Sequence, residues 1–190
     1  MTLSEIVQKS RSYRRFYQHP GIDEHTLREL VGLTRFCPSA ANLQPLKYVL
    51  SCDPEKNALV FSHLEWAAYL KDWDGPAEAE RPTGYIIVLQ DTNISRSIDC
   101  DHGIACQTIL LGATEKGLGG CMLGAVNRKD LHVALGFQTH LKILLVVALG
   151  KPKETVVIEP VQEGTIRYWR DEMNVHHVPK RALTEIIISY

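Results

Sequence analysis

Residues 99–124 constrain the fold more than any other part of this chain. Between Ile104 and Ala113 the apolar residues occupy nearly every side of a predicted helix, and Asp99 or Asp101 can cap its start by accepting bonds from backbone N–H groups. A helix that is apolar all round must be buried all round. In a chain of 190 residues, we therefore expect it to be the central helix of a domain or part of a subunit interface.

A glycine-rich turn is predicted directly after this helix. Gly117 can take the left-handed conformation that ends a helix. With Gly119, Gly120 and Gly124 it leaves a short segment almost without side chains, so its backbone could approach a flat ligand closely. These glycines follow a helix and not a strand, which disfavours a Rossmann nucleotide site.

Composition excludes several classes of function. The formal net charge of −1 argues against binding to nucleic acid or to an anionic membrane surface. No apolar run approaches the ~20 residues of a membrane-spanning helix, and the first residues lack the apolar core of a signal peptide. The five cysteines are scattered, and the eight histidines show no metal-ligand spacing. We expect a cytoplasmic protein with reduced thiols, one domain over 1–190 and no metal site.

Two segments carry side chains suited to an anionic heterocycle. Residues 11–16 (RSYRRF) place three arginines around aromatic residues, and a guanidinium offers paired donors to a phosphate or an anionic ring; a solvated basic surface is the alternative. Residues 38–45 (PSAANLQP) form a rigid loop whose Asn42 and Gln44 side chains match the edge of a pyrimidine-dione, or else act only in capping and turns.

The remaining pattern predicts alternating helices and strands. Helices are predicted at 3–9, 23–35, 56–70 and 127–135, and strands at 47–52, 83–90 and 140–149. The polar segment 71–82 is predicted to be an exposed, mobile loop. Residues 154–190 form a tail with an apolar end that must pack, plausibly on a neighbouring subunit.

Four segments together resemble the FMN-dependent nitroreductase family: residues 11–16, 38–45, 117–124 (GLGGCMLG) and 150–152 (GKP). They occur in the family's order and at roughly its spacing. The resemblance implies an α+β fold with a mostly antiparallel sheet flanked by helices, assembled as an intertwined homodimer with FMN at the subunit interface.

The resemblance also implies which residues hold FMN. Arg11, Ser12 and Arg14 would face the phosphate, the ribityl chain and the pyrimidine side of the ring, and Lys151 and Lys153 would return to the phosphate. A backbone N–H of the glycine segment would lie near the flavin N5. The full expected set is Arg11, Ser12, Arg14, Met122, Leu123, Gly124, Lys151 and Lys153 from one chain and Pro38, Ser39, Ala40, Asn42 and Gln44 from its partner.

The implied reaction needs no protein acid or base, because FMN carries the chemistry. A cation near N1 and O2, for which Arg14 is the candidate, favours the reduced ring. The expected cycle is ping-pong transfer of hydride from NADH or NADPH through FMN to a nitroaromatic or a quinone. Reductive dehalogenation, flavin cleavage and non-catalytic FMN storage are the alternatives. The tail segment 165–181 has no assigned role.

Overall fold

The computed structural model describes residues 1–188, so the predicted tail reaches two residues beyond the described part. The helices are α1 Leu3–Lys9, α2 Glu24–Thr34, α3 Pro54–Phe61, α4 Asp101–Glu115, α5 Arg128–Ala134 and α6 Leu183–Ile186. The strands are β1 Phe16–Tyr17, β2 Leu46–Ser51, β3 Gly84–Asp91, β4 Gly119–Leu123, β5 Leu141–Pro152, β6 Val156–Pro160, β7 Trp169–Arg170 and β8 His176–Lys180.

The main sheet is built around β5. β5 pairs antiparallel with β3, β4 and β1, and β2 continues the sheet beyond β3. Every pairing in this sheet is antiparallel, which confirms the predicted α+β class with a mostly antiparallel sheet. The long Val/Ile/Leu run of β5 is buried because helices cover both faces.

Each face of the sheet carries its own apolar core. On one face, Tyr85 and Ile87 of β3 pack with Val60 of α3 and Leu131 of α5. On the other face, the intervening β3 residues pack against α2 and α4, through side chains that include Leu27, Leu30, Ile109 and Ala113. The result is a three-layer arrangement in which alternate residues of one strand serve opposite cores.

Capping side chains explain where α1 and α2 begin. The capping box of α1 is present, because the Thr2 side chain accepts from the Glu5 N–H and the Glu5 side chain accepts from the Thr2 N–H. Asp23 caps α2 by accepting from the Thr26 N–H at 2.7 Å. Both helices lie within one or two residues of their predicted bounds.

The predictions for α4 need two corrections. Neither Asp99 nor Asp101 caps it: the N-cap residue is Cys100, without a side-chain cap bond, and Asp101 is already helical. Burial is also incomplete within one chain. Ala105, Cys106 and Ile109 are buried, whereas a stripe at spacing i, i+3 and i+7 remains half-buried or exposed: Ile104, Gln107 and Leu111.

The predicted glycine turn is largely a strand. Gly117 has a φ of 73° and ends α4 as expected, but residues 119–123 form β4. Glycine is required at Gly119 and Gly120 of β4 because atoms of other segments lie too close to leave room for a Cβ atom. A Cβ atom on Gly119 would overlap the Tyr13 ring, and one on Gly120 would overlap the backbone oxygen of Ala148.

The segment after α3 also differs from its prediction. The helix expected at 56–70 ends at Phe61, because the chain then runs extended and pairs through Leu64 with Val126. The loop 71–82 is not wholly exposed: it contains a 3₁₀ turn at Glu78–Glu80, in which the Glu80 side chain is only 13% exposed.

The tail after β5 forms a second, three-stranded sheet. β8 lies in the middle, parallel to β6 and antiparallel to β7. The apolar end of the tail is exposed in the single chain, at Leu183, Ile186, Ile187 and Ile188. Across residues 1–188, no helix combines the length and the apolar character needed to cross a membrane.

Replacing Gly120 by alanine should destabilise the protein by about 1–3 kcal/mol or more, because the new methyl group meets fixed β5 backbone. Chemical denaturation measures the free energy of unfolding. The matched control is Gly32→Ala in the middle of α2, where a Cβ meets nothing within 4 Å. That substitution should stabilise by roughly 0.5–1 kcal/mol. Equal effects of the two substitutions would contradict the assignment of β4.

Candidate functional site

Three of the four sequence segments meet along β4 and the end of β5. Ser12 forms a parallel bridge with Gly120, and the Tyr13 N–H donates to the Gly120 carbonyl at 3.0 Å. In β1, Tyr17 is paired with Lys151, which brings the basic segment to residues 150–152. The residues predicted at 11–14, 122–124 and 151 therefore share one side of the molecule.

The cations in this cluster are largely uncompensated. Within residues 1–188, Arg11, Arg14 and Lys151 form no salt bridge. The Nε atoms of Arg11 and Arg14 are buried and lack a hydrogen-bond partner in the described chain. A buried donor without an acceptor costs about 1–3 kcal/mol, so the arrangement favours an anionic group that supplies acceptors.

Lys153 is placed differently from Lys151. Its Nζ lies 2.8 Å from Glu80 Oε1, and the same carboxylate is held by Arg15, whose Nη2 donates to Oε1 at 2.8 Å. The hydrogen bond from Arg15, followed by that from Lys153, lowers the pKa of Glu80 from 4.5 to about 2. Lys153 therefore has a carboxylate partner within the chain, which it shares with Arg15, and Lys151 is the freer cation.

A buried carboxylate fixes the backbone of the basic segment. Glu154 accepts hydrogen bonds from the backbone N–H groups of Arg14 and Arg15, and its other oxygen accepts from Arg170 Nη2 at 2.9 Å. The Glu154 side chain is 1% exposed. No local sequence pattern marks Glu154, since it joins positions some 140 residues apart.

The Arg14 guanidinium lies over an aromatic side chain of the tail. Its Cζ is 5.3 Å from the ring centroid of Tyr168, and the buried His176 ring lies 5.2 Å from the same centroid. Burial, together with the charges of Arg14 and Arg170, lowers the pKa of His176 to about 4. His176 is therefore neutral at pH 7 and adds no third charge beside the two guanidiniums.

The fourth segment, residues 38–45, is anchored at the N-terminal end of α4, through Asp101. Asp101 Oδ2 accepts from the Ser39 hydroxyl at 2.5 Å, and Asp101 Oδ1 accepts from the Ala40 N–H at 3.0 Å. Ala40 begins a 3₁₀ turn that the sequence analysis described only as a rigid loop. Pro38, Ser39 and Gln44 line a recess of about 170 Å³ beside it.

The backbone of this loop is strained at three residues other than glycine. Ala41, Asn42 and Gln44 have φ values of 48°, 56° and 52°. Such conformations cost free energy and occur preferentially at ligand sites. Gln44 Nε2 donates to the Asn42 side-chain oxygen at 3.1 Å, so the two amides predicted to contact a ring act as a pair on an exposed loop.

The open edge of β4 carries the remaining predicted residues. Ser12 covers this edge only at Gly120, and β5 occupies the opposite edge. Met122 and Gly124 are exposed, whereas Leu123 is buried in the core. Backbone groups, and not the Leu123 side chain, are therefore what this part of the chain can offer to a ligand.

One chain does not bring the two halves of the predicted site together. The loop is held by Asp101, whereas Gly120 packs against Leu110, where a Cβ on the glycine would lie 3.1 Å from Cδ2. Nine helical residues separate these two points, which is about 14 Å along α4. No group of three or more His, Cys, Asp or Glu side chains suited to a metal ion occurs within 1–188.

The sequence model of the nitroreductase family matches residues 7–151. The chain belongs to this family. Its matched region contains β1 to β4 and most of β5, and so includes every predicted site residue except Lys153.

Solved structures show the same fold. A protein from Desulfovibrio desulfuricans, named as a nitroreductase and solved in complex with FMN, is 20% identical, with a TM-score of 0.73 over 100% of this chain and 97% of its own. A nitroreductase family protein from Clostridium difficile 630 is 17% identical, with a TM-score of 0.70 over 99% and 98%. A Clostridium acetobutylicum protein named as an NADH oxidase is 22% identical, with a TM-score of 0.63 over 79% and 89%.

Replacing Glu80 by glutamine should lower stability at pH 7 by roughly 1–3 kcal/mol, because Arg15 and Lys153 lose their shared carboxylate. The pKa of Glu80 is depressed in the folded state. Its stabilisation is therefore present above pH 4.5 and is lost as the pH falls toward 2. Unfolding free energies across this range should fall less steeply for the variant than for the wild type. Glu65→Gln, at an exposed site, is the control; an identical pH dependence for both variants would exclude the proposed pairing.

Proposed function

We propose that this protein is an FMN-dependent oxidoreductase that works as a homodimer and takes hydride from a reduced nicotinamide. The observation that carries the proposal is the junction of β4 with residues 11–14, where two buried arginine Nε atoms lack acceptors. Family membership and the FMN complex of the Desulfovibrio relative support a flavin as the group that supplies these acceptors.

The uncompensated cations suit the charges of FMN. Lys151 and Arg11 would neutralise the phosphate, and Arg14 would lie toward the pyrimidine side of the ring, where a positive charge favours the reduced state. Lys153 contributes less, because Glu80 already balances it. Three cations against a phosphate dianion and a developing ring charge give a nearly neutral site.

The open β4 edge suits the flat ring. Met122 and Gly124 leave backbone exposed there, and a backbone N–H directed at N5 needs no ionisable side chain. FMN, when bound, would supply hydride transfer in both directions. The chain's own part is then to position the ring, to neutralise its charges and to leave room for nicotinamide and acceptor in turn.

A second copy of the chain would complete the site. The half-buried stripe on α4, at Ile104, Gln107 and Leu111, lies between the two halves of the predicted site. Covering it with a twin would satisfy the expectation that α4 is buried all round. Elements near α4 also carry large exposed apolar side chains that a second chain could cover: Leu3, Val7, Leu33, Phe36 and Leu43.

The class of acceptor is limited because the nicotinamide and the acceptor would bind in turn at the same face of the flavin ring. Nicotinamide must leave before the acceptor binds, so a planar, electron-poor molecule such as a nitroaromatic or a quinone suits the same place. The name of the Clostridium acetobutylicum relative, an NADH oxidase, supports a nicotinamide as the reductant.

Anaerobic titration with NADH and then NADPH tests the reaction. The purified protein should be yellow, and one of the two nicotinamides should bleach the visible flavin absorbance; adding a quinone should restore it. Dithionite is the control that shows the flavin to be reducible. Bleaching by dithionite but by neither nicotinamide would contradict the proposal and favour FMN storage, and a purified protein without any flavin affinity would remove both.

Complementation between damaged chains tests the shared site. Arg14→Ala and Asn42→Ala should each reduce FMN affinity by roughly tenfold or more, because each removes hydrogen bonds to a charged or polar ring edge. When the two variants are unfolded and refolded together, heterodimers contain one intact site. About a quarter of all sites should then regain wild-type FMN affinity.

The control mixture combines Arg14→Ala with Lys151→Ala, which damage the same half of the site. No heterodimer of these two chains contains an intact site, so wild-type affinity should not return. Recovery in neither mixture would indicate that each chain builds its site alone. Recovery in both mixtures would show that Arg14 and Lys151 come from different chains at one site. Either result would contradict the proposed arrangement.

A further inference from the structure

A cavity of about 430 Å³ lies at the end of the β2–β3 ladder. It is bounded by the chain after β1, by the first turns of α3 and by the segment that leads into β3. None of the thirteen predicted FMN residues lines it. Its volume falls in the range of ordinary small-molecule sites.

Two polar side chains at this cavity lack hydrogen-bond partners. The Tyr85 side chain is fully buried, and its hydroxyl has no partner in the described chain. Arg81 Nε is likewise buried without an acceptor, while its guanidinium lies 4.0 Å from the Phe61 ring centroid. Arg81 forms no salt bridge within residues 1–188.

The Tyr85 hydroxyl and Arg81 Nε, which lack partners within residues 1–188, indicate the chemistry of a ligand. Burial raises the pKa of Tyr85, so its hydroxyl stays protonated and is available as a donor. A phenol and a guanidinium together suit an acceptor that carries negative charge. The Gln18 side chain donates to the Arg81 carbonyl at 2.6 Å and so fixes the backbone that presents the cation.

The other residues that line the cavity limit the negative charge of a ligand. Glu78 also lines the cavity, and its carboxylate repels anions, so a phosphate or a dicarboxylate is disfavoured more strongly than a ligand with a single negative charge. The rest of the lining includes the apolar side chains of Ile22, Pro54, Ala58 and Pro82. These suit a hydrocarbon body attached to the anionic group.

We propose that this cavity binds a small organic monocarboxylate, whose oxygens accept from the Tyr85 hydroxyl and from Arg81 while its apolar body contacts the prolines and Ile22. The site is separate from the proposed flavin site and does not depend on it. It gives the protein a second small-molecule site, at which a carboxylic acid binds without touching the reacting ring.

Calorimetric titration of the purified holoprotein with benzoate tests the site. Saturable binding of one benzoate per chain is expected, with the flavin absorbance spectrum unchanged. Benzamide has the same shape without the charge and should bind at least tenfold more weakly. Absence of saturable benzoate binding would overturn the proposal.

Variants separate the cavity from the flavin site. Tyr85→Phe and Arg81→Gln should each weaken benzoate binding by roughly tenfold or more, because each removes a hydrogen bond to a charged group. Tyr17→Phe, at an exposed tyrosine, is the matched control and should bind as the wild type does. Unchanged affinity in both cavity variants, with a benzoate-induced change in the flavin spectrum, would place benzoate at the flavin and overturn the proposal.

The stability of Tyr85→Phe without ligand gives an independent readout. Removing a buried hydroxyl that has no partner should leave the melting temperature unchanged or raise it. The variant should also lose the thermal stabilisation that benzoate gives to the wild type. A large drop in melting temperature without ligand would show that the hydroxyl is already satisfied and would count against a vacant acceptor position.

Discussion

The structure depends on the backbone hydrogen bonds of β5. This strand is paired along both edges and forms ladders with β3, with β4 and with β1. Because a strand's side chains alternate between faces, β5 contributes to both apolar cores at once. The same ladder sets the site, since it fixes β4 as an open backbone edge and holds β1 and Lys151 beside it. The fold and the candidate site therefore depend on the same backbone hydrogen bonds.

Much of the fold was predictable, because its local signals are strong. Apolar spacing marked α1, the Asp23 cap together with apolar spacing marked α2, and the apolar run marked β5. The segment 119–123 was misassigned because glycine there serves close contact between strands, which no local pattern reveals. Asp101 was read as a cap for the same reason: its true partners, Ser39 and Ala40, lie some 60 residues away in the chain. Long-range pairings of this kind cannot be predicted from local sequence patterns.

The candidate site combines what local patterns can and cannot predict. The basic segment at residues 11–14 is recognisable by its composition alone, whereas its meeting with β4 and with Glu154 is a product of the fold. The loop at 38–45 was recognised from its rigid composition, yet its strained backbone at Ala41, Asn42 and Gln44 could be found only from coordinates. Strain and uncompensated charge occur in separate parts of one chain, which is what two half-sites joined by symmetry require.

The position of Glu154 has a consequence for how the protein tolerates change. The Glu154 carboxylate joins the basic segment at residues 11–16 to Arg170 of the small terminal sheet, and the Arg14 guanidinium lies over Tyr168, directly before β7. The terminal sheet is therefore part of the framework that orients the arginines. An insertion, a proteolytic cut or a truncation after β5 would therefore disturb the orientation of Arg14 first, although Arg14 is far from the altered residues in sequence. The main sheet would stay paired.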